Sequence, residues 1–143
     1  MNVLVDTNVI SELRRGRKAA PRVLAWFAAL PAENVFTSVI VLGEIRRGIE
    51  LVARHDKPQA TALEQWYALV RERLADRVLG IDEPVMEQWA RISVPDMLPA
   101  YDGLIAATAL THCLIVATRS TRDYRRAGIR VVDPWHDPRH DRG

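Results

Sequence analysis

Four acidic residues stand where apolar segments of this chain begin or end. Asp6 follows Val3-Leu4-Val5, and Glu44 lies in TSVIVLGEIRRG. Asp102 opens YDGLIAATAL, and Asp123 lies in TRSTRDY, just after the apolar LIVAT. Glu44 is flanked by Val41, Leu42 and Ile45, a setting in which a bare carboxylate is costly to bury. Taken singly, each acid has a plain structural explanation. These are a turn residue, a solvated helix residue, a cap stabilised by the helix dipole and a loop residue. Taken together they raise a different chemistry. Carboxylates brought close cannot all stay ionised without cations, so at least one is expected to be held above its ordinary pKa. Oxygen ligands with no His or Cys among them suit Mg²⁺ or Mn²⁺. Such ions activate water and stabilise an in-line displacement at phosphorus.

The elements that must position these acids follow from the apolar pattern. Short β-rich runs are expected at 2–5, 34–37, 78–80, 114–117 and 129–132. None alternates cleanly, so they read as strands covered on both faces. Helices are expected at 8–15, 20–30, 38–54, 58–76, 83–93 and 101–112. Ser38 is a good N-cap for the third. Leu63, Trp66, Val70 and Leu74 form a stripe on the fourth, and Met86, Trp89 and Ile92 on the fifth. Residues 101–112 are apolar almost all round, as a central buried helix should be. Alternating strands and helices imply a three-layer α/β/α fold around a parallel sheet of about five strands with right-handed crossovers. Sites in such sheets form beyond the carboxyl ends of the strands. Asp6 and Asp123 follow strands there, and Glu44 and Asp102 rise from the first turns of helices. Thr7 and Asn8 are expected to cap the first helix and orient Asp6.

The chain has 143 residues, enough for one domain, and 48% of them are hydrophobic. Residues 1–135 read as the domain and 136–143 as a tail. Basic and acidic residues nearly balance, 20 against 18, which does not argue for a polyanion partner. Only Lys18 and Lys57 are lysines, however, and arginine suits bidentate phosphate contacts. Cys113 is the single cysteine and reads as a small buried residue in an apolar run, so no disulfide forms within the chain. No apolar run reaches membrane-spanning length and no leader precedes the first strand. A soluble cytoplasmic protein is the expectation.

The ordered set DTN after a first strand, a helix-borne GE, DGLIAATAL, then TRSTRDY before GIRVVDPW resembles the PIN-domain nucleases. More closely, it resembles the VapC-type toxins of bacterial toxin–antitoxin pairs, and the likeness covers Asn2 to about Trp135. The resemblance implies a PIN fold and a metal-dependent endoribonuclease. It implies that Asp6, Glu44, Asp102 and Asp123 are the catalytic acids, with Asp6 and Asp102 foremost as ligands of Mg²⁺, for which Mn²⁺ can substitute. Thr7, Asn8, Ser38 and Thr118 match polar positions that support such a centre. The last motif departs from the common pattern, with Ser120 where Asn is usual and Tyr124 where Phe is usual; a hydroxyl at 120 can still support the site. The resemblance further implies an RNA substrate, a cognate antitoxin that blocks the site, and a homodimer that forms a heterotetramer or larger assembly with it. An amphipathic antitoxin helix is expected in an apolar groove walled by helices 8–15, 38–54 and 58–76, with Trp66 or Tyr67 as anchor.

Other signals weigh less. Arg14, Arg15, Arg17 and Lys18 form a basic cluster that reads either as a solvated loop or as contacts to RNA phosphate. Arg46 and Arg47 flank Glu44 and are candidates for the same contacts. Asp96, between Pro95 and Pro99, reads as a loop residue. His136 and His140 have the i, i+4 spacing of a helical metal site, but the prolines around them favour an irregular tail, and His55 and His112 stand alone. A haloacid-dehalogenase-like phosphatase also starts with an acid after a first strand. It needs a second Asp two residues later, where this chain has Asn8. A non-catalytic module binding RNA or protein is the other alternative. Four acids without a metal would repel RNA phosphate. Neither a Walker loop nor GxGxxG is present.

Overall fold

The computed structural model describes residues 1–136. Five strands, β1 Val3–Val5, β2 Val35–Ser38, β3 Val78–Leu79, β4 Ile115–Ala117 and β5 Val131–Val132, form one sheet in the order β3-β2-β1-β4-β5. Every pairing is parallel. The helices are α1 Thr7–Arg14, α2 Pro21–Ala28, α3 Val39–Ala53, α4 Lys57–Leu74, α5 Glu83–Ile92, α6 Ala100–Thr111 and α7 Thr121–Arg126. The expected strands and six expected helices are present to within a few residues. The chain runs outward from β1 to β2 and β3, then crosses back to β4 and β5. Right-handed crossovers in both directions clothe the sheet with helices on both faces. Val3, Leu4 and Val5 are accordingly buried throughout, with no polar alternation.

The reversal of direction places the topological switch point between β1 and β4, the neighbours at the sheet centre. Ligand sites of open α/β sheets form at that crevice, beyond the carboxyl ends of the strands. The ladder is continuous up to its rim. Asp6 N–H donates to the Ala117 carbonyl at 3.0 Å, and Thr118 N–H donates to the Val132 carbonyl at 3.0 Å. The two chain exits, at Asp6 and Thr118, are therefore held side by side.

The central helix is α6. Ile105, Ala106, Ala107 and Ala109 are fully buried, and Thr108 returns its hydroxyl to the Leu104 carbonyl. Its small residues let neighbours approach closely. A Cβ on Gly103 would lie 3.3 Å from the Trp89 indole nitrogen, so glycine lets α5 pack against the turn that carries Asp102. Helix α4 sets Leu63, Trp66, Val70 and Leu74 against the core, as its stripe requires.

Some local expectations are corrected. On α5 the buried position is Val85, with Trp89 and Ile92 following at i+4 and i+7, while Met86 is exposed. Cys113 is exposed at φ 56°, in the turn that ends α6 before β4, and burial begins one residue later, at Leu114. Helix α7 was not expected, because its six residues TRDYRR carry one apolar side chain and show no period. No helix among the described residues is long and apolar enough to cross a membrane. Residues 137–143, with His140 and the paired-histidine reading, lie outside the described residues.

Candidate metal centre

Asp6 ends β1 and is itself the N-cap of α1; its Oδ1 accepts the Thr7 N–H at 2.7 Å. Capping by Thr7 and Asn8 is thereby corrected, since they occupy the first two helical positions. The reason is local: an Asp in extended conformation just before a helix is among the best N-caps. The other Asp6 oxygen, Oδ2, accepts the Thr118 hydroxyl at 2.8 Å. Thr118 is fully buried, and Asp6 is only 6% exposed. Asn8 Nδ2 donates to the hydroxyls of Thr118 at 3.3 Å and Ser120 at 3.4 Å, while Asn8 Oδ1 accepts the Arg119 N–H. The Ser120 N–H closes the ring on Thr118 Oγ1 at 3.1 Å. Thr7, Asn8, Thr118 and Ser120 thus form one polar frame around Asp6.

Glu44 reaches this frame from α3. Its Oε1 accepts the Thr7 hydroxyl at 3.1 Å. Ser38 works one step away: it caps α3, accepting the Val41 N–H at 3.2 Å, and so sets the direction of the helix that carries Glu44. Asp102 lies in the first turn of α6, whose N-cap is Pro99. Its carboxylate accepts the Tyr124 hydroxyl at 3.4 Å instead of capping the helix. Asp123 lies in the first turn of α7, not in a loop.

The acids act on one another. The Asp6 carboxyl is pushed up by burial, with the Thr118 and Thr7 hydrogen bonds opposing. Glu44 is raised by burial first and then by the charges of Asp6 and Asp102, with Thr7 opposing. Asp102 is raised by burial, by Asp6 and by Asp123, with the Tyr124 hydroxyl opposing. The expected elevation is present, but burial outweighs mutual repulsion as its cause. Among the described residues, no Arg, Lys or His forms an ion pair with any of the four. Nor do three acids, histidines or cysteines close into a ready-made metal cage there. An open, all-oxygen site of this kind fits Mg²⁺ better than a closed one would. That ion keeps several waters and is held by one or two carboxylates together with substrate phosphate.

The basic residues are distributed differently. Arg46 is paired with Glu50 at 2.6 Å and Glu64 at 3.2 Å. Arg15 pairs with Glu12, which also accepts the Ala20 N–H at 2.8 Å. The Arg14 guanidinium lies 6.0 Å from the Trp66 ring centre. Arg47 is exposed on α3, and Asp96 lies with Asp123 along a second cleft of about 360 Å³. Three residues went unnoticed as site neighbours in the sequence. Tyr124 is one. The others are Arg119 and Trp135, stacked with the guanidinium 5.0 Å from the ring centre. Only their places beside TRSTRDY and GIRVVDPW could have drawn attention to them.

A separate apolar cleft of about 530 Å³ opens between α1, α2 and α4 over the first two strands, lined by Ile10, Leu13, Phe27, Trp66 and Val70 among others. It shares α1 and α4 with the groove expected from the sequence. Its third wall is α2 in place of α3, and Trp66, not Tyr67, lines it.

Comparison with known proteins agrees with this architecture. The family model for the PIN domain matches residues 3–129. Toxin FitB of Neisseria gonorrhoeae is 39% identical over 140 residues, covering 94% of this chain and 99% of that one. VapC ribonuclease Y4jK of Sinorhizobium fredii is 34% identical over 140 residues, covering 93% and 97%. The crystal structure of FitAcB from Neisseria gonorrhoeae superposes with a TM-score of 0.86 at 37% identity, covering 94% of this chain and 99% of that chain.

Proposed function

The chain belongs to the PIN-domain family, and from that premise we propose that it is the endoribonuclease toxin of a toxin–antitoxin pair. The observation that carries the reading is the unpaired acid cluster. Asp6, Glu44 and Asp102 are held above their ordinary pKa at the sheet's switch point, and among the described residues none of them is in an ion pair. The similarity to a VapC ribonuclease and to toxin FitB supports the choice of RNA and of toxin activity.

Asp6 and Asp102 would hold Mg²⁺, or Mn²⁺ in its place, with Glu44 and Asp123 completing the acidic rim. The ion, when bound, would supply a nucleophile at neutral pH and offset charge developing on the phosphate. The chain's own residues supply the rest. Thr118 and the Thr7 N–H fix both oxygens of Asp6, so that carboxylate cannot rotate away. The Thr7 hydroxyl fixes Glu44. Arg14, Arg15 and Arg47 are the candidates for RNA phosphate contacts. Arg15 would have to leave Glu12, and Arg46 would have to leave Glu50 and Glu64.

The partner would be a cognate antitoxin. Its amphipathic helix would dock in the apolar cleft between α1, α2 and α4, with Trp66 as anchor. The basic unit would be a homodimer, held by apolar surface on the 93–101 segment beside the site. Val94, Met97 and Tyr101 there are 75%, 62% and 57% exposed.

The test is incubation of the purified chain with RNA and Mg²⁺, with the product ends characterised. Cleavage that EDTA abolishes is expected. Water as nucleophile, in place of the neighbouring 2′-hydroxyl, leaves no 2′,3′-cyclic phosphate. Cyclic ends, or RNA left intact with both Mg²⁺ and Mn²⁺, would overturn the reading.

A further inference from the structure

Tyr124 is the largest fully buried side chain among the described residues, at 0% exposure. Its ring fills the space between α7 and the sheet, but its hydroxyl leaves that apolar setting and enters the acid cluster. It donates to Asp102 Oδ1 at 3.4 Å, long for an O–H···O bond. The carboxylates of Asp6 and Glu44 are near enough to act on it as well. A tyrosine hydroxyl keeps its proton at neutral pH and faces an ionised carboxylate that can only accept, so it is the donor of this pair.

Asp6 and Glu44 each have a closer, fixed donor. Asp6 is held by Thr118 and the Thr7 N–H, and Glu44 by the Thr7 hydroxyl. Asp102 caps no helix, and among the described residues its side-chain hydrogen bond is the one from Tyr124. We propose that the Tyr124 hydroxyl is a positioning residue for the metal centre: it occupies Asp102 Oδ1 and leaves the second oxygen of that carboxylate for the cation. The inference rests on the metal-site reading above. In this role Tyr124 acts through Asp102, as outer partners of ligating carboxylates do.

Tyr124→Phe deletes one oxygen and keeps the ring that fills the core. Mn²⁺ binding is measured by calorimetry on wild type, Tyr124→Phe and Asp102→Asn, together with melting in EDTA. Wild type binds, Asp102→Asn loses binding, and Tyr124→Phe binds on the order of tenfold more weakly with its EDTA melting temperature nearly unchanged. Equal or tighter binding by Tyr124→Phe would overturn the proposal, even if its EDTA melting temperature fell, since that is what a packing role alone would give. The metal reading would survive that result as long as wild type binds and Asp102→Asn does not. A wild type that binds no Mn²⁺ would remove both.

Discussion

The hydroxyl of Thr118 donates to Oδ2 of Asp6 at 2.8 Å, joining the exits of the two central strands across 112 residues of sequence. Both groups are buried, and the same hydroxyl oxygen accepts from Asn8 and from the Ser120 N–H. Thr118→Val keeps the shape and removes all three bonds. A buried carboxylate deprived of a donor bears its desolvation penalty, so a loss of about 1–3 kcal/mol is expected at neutral pH in urea unfolding. Mg²⁺ should narrow the gap between variant and wild type. A Thr118→Val protein as stable as wild type in EDTA would show that the bond does not hold Asp6.

The raised acids make stability depend on pH with a definite sign. A carboxyl whose folded pKa is raised binds its proton more tightly when folded. Its contribution is fully present below the unfolded pKa, near 3.8 for Asp102, and is lost as pH rises through the higher folded value. Asp102→Asn lacks this loss. In EDTA the variant should gain on wild type as pH rises from that value toward neutrality. The gain should reach about 1 kcal/mol, since solvent screens a partly exposed carboxylate. Melting curves of both proteins across this range give the comparison. Parallel curves would show that Asp102 carries no strain.

The apolar cleft should govern the partner and not the chemistry. Trp66→Ala removes the largest side chain lining it and should weaken antitoxin binding by about 2 kcal/mol or more. RNA cleavage without the antitoxin should stay near wild type. Calorimetric titration with the antitoxin and a cleavage assay on the same preparation provide both readouts.

The exposed apolar segment beside the site should govern assembly. Met97→Glu places a charge where apolar surface would be buried between two copies. Sedimentation should show a dimer for wild type and a monomer for the variant. A wild-type monomer at tens of micromolar would contradict this role.

The fold and the acids were legible because burial on both faces leaves a plain trace. Val3-Leu4-Val5 and LIVAT can only be inner strands, so the acid after each marks the rim. Ser38 was legible as a cap because serine before an apolar helical run has few other uses. What stayed hidden was decided by tertiary contacts. Asp6 looked like a turn residue, and its capping of α1 depends on the extended backbone that β1 imposes. Helix α7 is too short to show a period, so Asp123 read as a loop residue. The Tyr124 hydroxyl looked like a minor variation on an aromatic position. Its meeting with Asp102, 22 residues away in sequence, depends on how α6 and α7 are set against one another. Cys113 read as buried because it opens an apolar run, but the left-handed turn at that residue leaves it exposed.

If the acids at the switch point are the catalytic machinery of an RNA hydrolase, cleavage depends on their charges and not on that of Asp96. The measurement is the cleavage rate of one RNA by wild type, Asp6→Asn, Asp102→Asn and Asp96→Asn, all with Mg²⁺ and all shown folded by melting. Asp6→Asn and Asp102→Asn should lose cleavage, and Asp96→Asn should cut at the wild-type rate. A folded Asp6→Asn protein that cleaves RNA as fast as wild type would contradict the claim.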